Sequence, residues 1–144
     1  VHTISPTSAL PQITDPVIID GPTQPGYAGV PLIEIDGSGA GATTHGLLIT
    51  AGASTVRGLI INRFDGNGIE LDTNGCNLIA GNYIGTNATG TAAAGNHANG
   101  VAVGGTAGNH IGGTTTAGRN IVSGNGAHGI ALFGNSSGNL VRGN

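Results

Sequence analysis

The sequence predicts an all-β chain, a solenoid of short strands stacked coil upon coil, and three observations predict it. The first is a recurring pattern. NGIELD (67–72) returns as HGLLIT (45–50), NGVAVG (99–104) and HGIALF (128–133), each reading polar, Gly, apolar, variable, apolar, so alternate residues share one face of a strand. The second is spacing. These segments start at 45, 67, 99 and 128, in steps of 22, 32 and 29 residues, the range of repeat architectures. The third is composition. Among 144 residues there are 29 Gly, 2 Phe, 2 Tyr and neither Trp nor Met, so no thick core can be built. A unit this short buries its apolar face only by stacking on its neighbours.

Composition also bounds the function. Charged residues are 8% of the chain and the net charge is −3, with no Lys. Nothing is available to neutralise a run of phosphates or to hold an acidic membrane, which argues against nucleic acid as a partner. Mean hydropathy is slightly positive, so the chain lacks the signature of disorder. No apolar run approaches the roughly 18 residues of a membrane span. The chain opens on Val1 without a charged leader and is read as a mature piece or a fragment of a longer protein. Its single cysteine, Cys76, forms no internal disulfide and is expected in a turn.

Residues 1–31 hold all six prolines (Pro6, Pro11, Pro16, Pro22, Pro25 and Pro31). Proline donates no ladder hydrogen bond, so this stretch belongs on an edge or over an end and is read as a cap. Within it Val17–Ile19 is expected to be a strand, closed by a turn over Asp20–Thr23. Residues 32–144 are the repeats. Leu32–Gly37 is an imperfect first rung, with Ile33 and Ile35 inward and Glu34 and Asp36 outward, aligned with the segment from Gly46 to Ala51. From residue 45 each coil carries three strands. The first supplies Leu47/Ile49, Ile69/Leu71, Val101/Val103 and Ile130/Leu132 to the interior, and the second supplies Val56, Ile79, Ile111 and Val141. The third supplies Leu59/Ile61, Ile84 and either Ile121 or Val122. Three apolar columns then enclose a narrow prism.

Gly and Asn sit between the columns, as left-handed corners require. Equivalent corners hold equivalent polar residues: His45, Asn67, Asn99 and His128 in one set, and Ser54, Asn77, Asn109 and Asn139 in another. Stacked at one strand spacing, such side chains can hydrogen-bond along the column as structural ladders. The longer coils carry extra residues at 87–98 and 114–119, expected to loop out of the column. Asn96, placed inside the first of these loops, is expected to matter less than Asn77 or Asn109. Gly143-Asn144 aligns with Gly81-Asn82, so the last coil is expected to be incomplete, with Ile130, Leu132 and Val141 at an open end.

NGIELD, NLIAGNYIGTNATG, NHIGGTTTAGRNIVSGN, HGIALFGN and the lead-in ITDPVIIDGPTQPG resemble the right-handed parallel β-helix, pectate-lyase-like repeat family. The likeness is greatest to the Asn/Gly-rich repeats of large secreted bacterial surface proteins, and it covers residues 32–144. The resemblance implies a right-handed parallel β-helix with three short strands per coil and about five coils. At about 4.8 Å per coil these make a column of roughly 25 Å. It also implies an extracellular or cell-surface location.

The signals for chemistry are weaker. Gly124–Gly129 has the spacing of a dinucleotide fingerprint, but the next residues repeat a strand and no helix can follow. His45 and His128 occupy a corner that Asn fills in other coils, so they read as ladder members and not metal ligands. Asp65, Asn67 and Glu70 fit no calcium-loop spacing. No metal or cofactor is assigned. If the coils align as drawn, Glu34, Leu48, Glu70, Ala102 and Ala131 form one outward column, and Asp36, Thr50, Asp72, Gly104 and Phe133 the next. Four carboxylates would then share one face. Glu70 and Asp72, two residues apart and about 7 Å from each other, suit paired acid and base work on a glycosidic bond. Arg57 and Arg63 would hold an acidic sugar. Against this, the Asp-Asp pair and Arg-x-Lys motif of polygalacturonase-like members are absent, and the lyase-like basic residue and calcium cluster have no counterpart. Outward charges on a strand also keep a solenoid soluble.

The expected function is therefore a non-enzymatic structural or adhesive module of a secreted protein. Its partners are further repeats or other copies of itself at the C-terminal end, joined into a column or fibre. The alternative is a polysaccharide-processing or carbohydrate-binding β-helix using Glu70, Asp72, Glu34, Asp36, Arg57 and Arg63. A third class, ice binding, would need a flat column of Thr-x-Thr pairs, which the outward columns lack.

Overall fold

A computed structural model describes all residues from Val1 to Asn144. Its strands are short because the sequence alternates cleanly for only a few residues before a Gly or Asn corner intervenes. In chain order they are β1 (His2–Ile4), β2 (Ile18–Asp20), β3 (Ile33–Asp36), β4 (Leu47–Ile49) and β5 (Thr55–Arg57). Then come β6 (Leu59–Asn62), β7 (Ile69–Asp72), β8 (Leu78–Ala80), β9 (Tyr83–Ile84) and β10 (Val101–Gly104). The last four are β11 (His110–Gly112), β12 (Ile121–Val122), β13 (Ile130–Phe133) and β14 (Leu140–Arg142).

They form three parallel sheets. Sheet A runs β1-β3-β6-β9-β12, sheet B runs β4-β7-β10-β13, and sheet C runs β2-β5-β8-β11-β14. Successive strands thus enter A, B and C in rotation, and each passage through the three sheets is one coil. The register aligns the columns. Val56, Ile79, Ile111 and Val141 are neighbours in sheet C, and Ile69 and Leu71 meet Val101 and Val103 in sheet B. In sheet A, Ile61 meets Ile84 and Ile84 meets Val122, so Val122 and not Ile121 is the inward residue of β12. Buried side chains from the three sheets form one continuous core between them. Single aliphatic residues fill it, which is why a sequence almost without large side chains has a core at all.

Close stacking at the corners demands glycine at particular points. A Cβ on Gly75 would lie 1.8 Å from the carbonyl oxygen of Ala107 in the next coil. A Cβ on Gly37 would lie 2.3 Å from the ring of Phe64, the largest fully buried side chain. Phe64 fills the corner after β6 because Gly37 leaves it room.

The proline-rich segment takes the edge as a rung. β1 is the outermost strand of sheet A, β2 is the outermost strand of sheet C, and Ile13 bridges to Ile49 beside sheet B. The strand near Val17–Ile19 lies one residue later, at Ile18–Asp20, followed by a short 3-10 turn at Gly21–Thr23.

Two expectations are corrected. β3 does not align with β4: its partner is β6, with Glu34 opposite Ile60 and Asp36 opposite Asn62. Its alternation matches sheet B, but the corner needed to enter that sheet follows β3, where a 3-10 turn spans Gly37–Gly39. Alternation alone does not say which sheet a strand joins. The second correction concerns residues 87–98. The excursion closes early, with Thr86 bridged antiparallel to Ala93 and the Asn87 side chain accepting from the backbone N–H groups of Thr91 and Ala92. Asn96 is back in the column and almost fully buried.

Candidate functional site

The polar corners are built by register. Because β4, β7, β10 and β13 stack residue on residue, the residues just before them stack too. His45 Nδ1 accepts from the backbone N–H of Asn67, Asn67 Oδ1 accepts from the N–H of Asn99 at 2.8 Å, and Asn99 Oδ1 accepts from the N–H of His128 at 3.2 Å. The second set runs with the opposite polarity. Ser54 N–H donates to Asn77 Oδ1 at 2.9 Å, Asn77 N–H to Asn109 Oδ1 at 3.0 Å, and Asn109 N–H to Asn139 Oδ1 at 2.8 Å. Side-chain amides reinforce this ladder, Asn77 donating to Asn109 and Asn109 to Asn139.

Two further ladders escaped the sequence reading. Leu59 N–H donates to Asn82 Oδ1, Asn82 N–H to Asn120 Oδ1 at 2.9 Å, and Asn120 Nδ2 to Asn144 Oδ1 at 2.7 Å. Phe64 N–H donates to Asn96 Oδ1 at 3.1 Å and Asn96 N–H to Asn125 Oδ1 at 3.2 Å. A signal was present. Asn67, Asn82, Asn96, Asn109, Asn125, Asn139 and Asn144 each follow a glycine, and among the Gly-Asn pairs only the exposed Gly134-Asn135 stands outside the ladders. No buried side-chain nitrogen or oxygen lacks a hydrogen-bond partner.

The six candidate charged residues do not gather on one face. Glu34 and Asp36 belong to sheet A, and Glu70 and Asp72 to sheet B. The four-carboxylate column is therefore overturned by the pairing of β3 with β6. Nor is either arginine free. Arg57 grips Asp20 with two bonds, Nε–Oδ1 at 2.8 Å and Nη2–Oδ2 at 2.6 Å, across directly paired strands. Arg63 Nη1 lies 2.9 Å from Asp36 and 3.8 Å from Glu34. The turn expected over Asp20–Thr23 starts one residue later, and Asp20 closes β2. In register it faces Arg57.

These contacts set the carboxyl groups. The hydrogen bond from Arg57 holds Asp20 below its ordinary value of 3.8. Partial burial pushes Asp36 up, but the Ser38 N–H and the Arg63 guanidinium outweigh it and the net shift is down. Asp65 is also lowered, first by the backbone N–H of Thr43 and then by His97, whose Nδ1 is 2.9 Å away. A groove of about 440 Å³ lies here, bordered by Ser38, Arg63, Asp65 and His97. Its charges are spent on each other, each pair tying one coil to the next. No three His, Cys, Asp or Glu side chains converge to hold a metal ion.

Sheet B presents the remaining pair. On its outer face Leu48, Glu70, Ala102 and Ala131 are neighbours, as are Asp72, Gly104 and Phe133. Burial pushes the Glu70 carboxyl above its ordinary value of 4.5, opposed by His45 and by the hydrogen bond from Asn67 and assisted by Asp72. Gly104 leaves a notch: a Cβ there would lie 3.0 Å from the Phe133 ring and 3.7 Å from Glu70 Oε1. No helix is long and apolar enough to cross a membrane. Comparison with known proteins finds no family model, no curated protein and no solved structure that matches the chain.

Proposed function

We propose that the chain is a structural and adhesive module of a secreted or cell-surface protein, a right-handed parallel β-helix whose last rung accepts another. One observation carries this reading. The buried polar side chains are engaged in ladders between coils, and the ion pairs do the same on the surface, so the polar groups that a catalyst would turn toward substrate are turned along the column. The residues that resemble Asn/Gly-rich surface repeats are the residues of those ladders. At the C-terminal face Leu132 and Val141 are exposed, and their columns continue inward through Val103 and Ile111. A further rung of the same kind fits that face, and for the chain in isolation the proposed occupant is a second copy, giving a column. Light scattering across a concentration series tests this. Concentration-dependent growth that a charged extension after Asn144 abolishes is the expected result. A monomer at every concentration, with or without that extension, overturns self-assembly.

A second reading, carbohydrate binding or processing on sheet B, is favoured by the raised carboxyl of Glu70 beside Asp72 and the Phe133 notch. A reducing-sugar and ultraviolet screen across acidic and neutral polysaccharides separates the two. The structural reading expects no turnover; activity abolished by Glu70→Gln or Asp72→Asn would establish the rival.

A further inference from the structure

A separate cleft of about 140 Å³ opens on the outer face of sheet A, where the neighbours of the ladder residues Asn82 and Asn120 point outward. Tyr27, Tyr83, Thr116, Ala117, Arg119 and Ile121 line it. These include both tyrosines of the chain. The fold assembles them from three places. Tyr27 comes from the loop before β3, Tyr83 opens β9 next to Ile121 of β12, and Arg119 follows the 3-10 turn at Thr116–Gly118. Tyr83 is held in place: a Cβ on Gly90 would lie 3.0 Å from its Cε2, so the loop over Gly90 packs against the ring.

Arg119 differs from Arg57 and Arg63. It takes part in none of the ion pairs, which join Arg57 to Asp20, Arg63 to Glu34 and Asp36, and His97 to Asp65. No carboxylate lines the cleft. On a chain of net charge −3 it is a place where an exposed arginine shares a cleft with two tyrosines and no acidic side chain. A guanidinium fork matches a carboxylate with two parallel hydrogen bonds, and flat aromatic rings recognise another flat ring. Of the remaining wall, Gly29, Gly81, Ala117 and Ile121 bring no polar side chain, and Thr116 brings the one aliphatic hydroxyl. A ligand with hydroxyl groups all round its ring would find partners only at Thr116, Arg119 and the two phenol hydroxyls and would lose water from the rest.

The geometry points to a binding site for a small aromatic carboxylate, one ring in size, seated against Tyr27 and Tyr83 with its charge on Arg119. This stands apart from the structural reading, since it uses no ladder residue but the outward side chains of sheet A, although Ile121 lies on β12, the outermost strand of that sheet.

Benzoate is the probe, followed by nuclear magnetic resonance of the tyrosine ring protons, which come from Tyr27 and Tyr83 alone. Both rings are expected to shift together and saturate. Benzamide, alike in shape but uncharged, is expected to bind at least about tenfold more weakly, the scale of one lost charge-assisted hydrogen bond. Arg119→Gln should weaken benzoate to the same degree, while Arg142→Gln, on β14 and outside the cleft, should leave it unchanged. Unaltered melting temperatures for both variants would show that the fold survives. Equal binding of benzoate and benzamide overturns the proposal whether or not the Arg119 variant folds. So does full-strength binding by Arg119→Gln, or shifts that never saturate. Displacement of benzoate by galacturonate at lower concentration than benzoate itself would reassign the cleft to sugars.

Discussion

Asparagine is the residue on which this fold turns, because one side chain does two tasks at a corner. Its oxygen accepts a backbone N–H that the neighbouring coil has no strand partner for, and its amide donates to a carbonyl in the same position. Asn82 accepts from Leu59 and donates to the Val56 carbonyl, and Asn96 accepts from Phe64 and donates to the Ile61 carbonyl. Leucine is close in size but leaves those backbone groups unpaired inside the column, at about 1–3 kcal/mol for each. Asn109→Leu and Asn96→Leu should therefore both lower the melting temperature, by about 2–4 °C for each kcal/mol lost in a chain of this length. Asn135→Leu, at an exposed corner, should not. Thermal melts of the three variants check this, and an Asn96 variant that melts with the wild type would return that residue to a loop. Glu70 gives a different test. Its folded carboxyl titrates above its ordinary value of 4.5, so the folded state binds the proton more tightly than the unfolded state does. Stability from this group is complete below 4.5 and is lost as pH rises through the folded value. Glu70→Gln should thus raise the melting temperature at neutral pH and make no difference well below pH 4.5. An offset that is constant with pH would mean that the gain comes from packing. Asp20, Asp36 and Asp65 act in the opposite sense: each is lowered, so their contribution is present above 3.8 and lost as pH falls below it.

At the level of elements, the columns were legible because period-two alternation and glycine punctuation are local signals. Leu47/Ile49, Ile69/Leu71 and Val101/Val103 fall in register as their sequence motifs align. What was not legible was which sheet a strand joins when its corner differs. Ile33–Asp36 has the alternation of sheet B, yet its position in the rotation is sheet A, because Ile13 and β2 precede it and complete the first coil. The carboxylate face rested on that one alignment and fell with it. Two-residue strands are too short to alternate: Ile84 of β9 was legible as the inward residue, but in β12 the choice between Ile121 and Val122 was not. Loop boundaries depend on a closing contact that sequence does not announce. In the excursion after β9, Asn87 N–H donates to the Ala92 carbonyl at 2.9 Å, so the residues between them lie outside the column. Replacing Ala88–Thr91 by two glycines should leave the melting temperature within about 2 °C, because no buried group is removed and loop-length changes of this size cost only tenths of a kcal/mol. The same replacement extended through Asn96 should lower it strongly. Equal melts for the two deletions would show that the excursion runs as far as Asn96.

For the whole molecule, stacking makes stability local. An interior coil is paired on both sides and a terminal one on a single side, so a column opens from its ends. Ile69, Leu71 and Ile79 are fully buried at 0% exposure, whereas Leu132 is 44% and Val141 42% exposed. Amide hydrogen exchange of the dilute chain should therefore be slowest in β7 and β8 and fastest in the end strands, β1 and β2 on one side and β13 and β14 on the other. If copies associate as proposed, raising the concentration distinguishes two ways of covering the last rung. If copies join head to tail, the face carrying β13 and β14 of one copy meets the face carrying β1 and β2 of the next, and such a contact repeats without closing. Protection should then rise at both ends of the chain together, and particle size should keep growing. If two C-terminal faces meet, protection rises at β13 and β14 alone and growth stops at a dimer. The prolines bear on the choice. Pro6, Pro11 and Pro16 flank β1, Ile13 and β2, so the backbone between the edge segments offers fewer N–H donors to an incoming rung than the segments themselves do. Head-to-tail joining must therefore be carried by Thr3, Ile18 and Asp20 and their neighbours on the edge strands. Substituting proline at Thr3 and Ile18 should leave the pairing of β1 and β2 to their inner neighbours in place while halting growth. Growth that persists in that variant, with protection confined to β13 and β14, would assign the contact to two C-terminal faces.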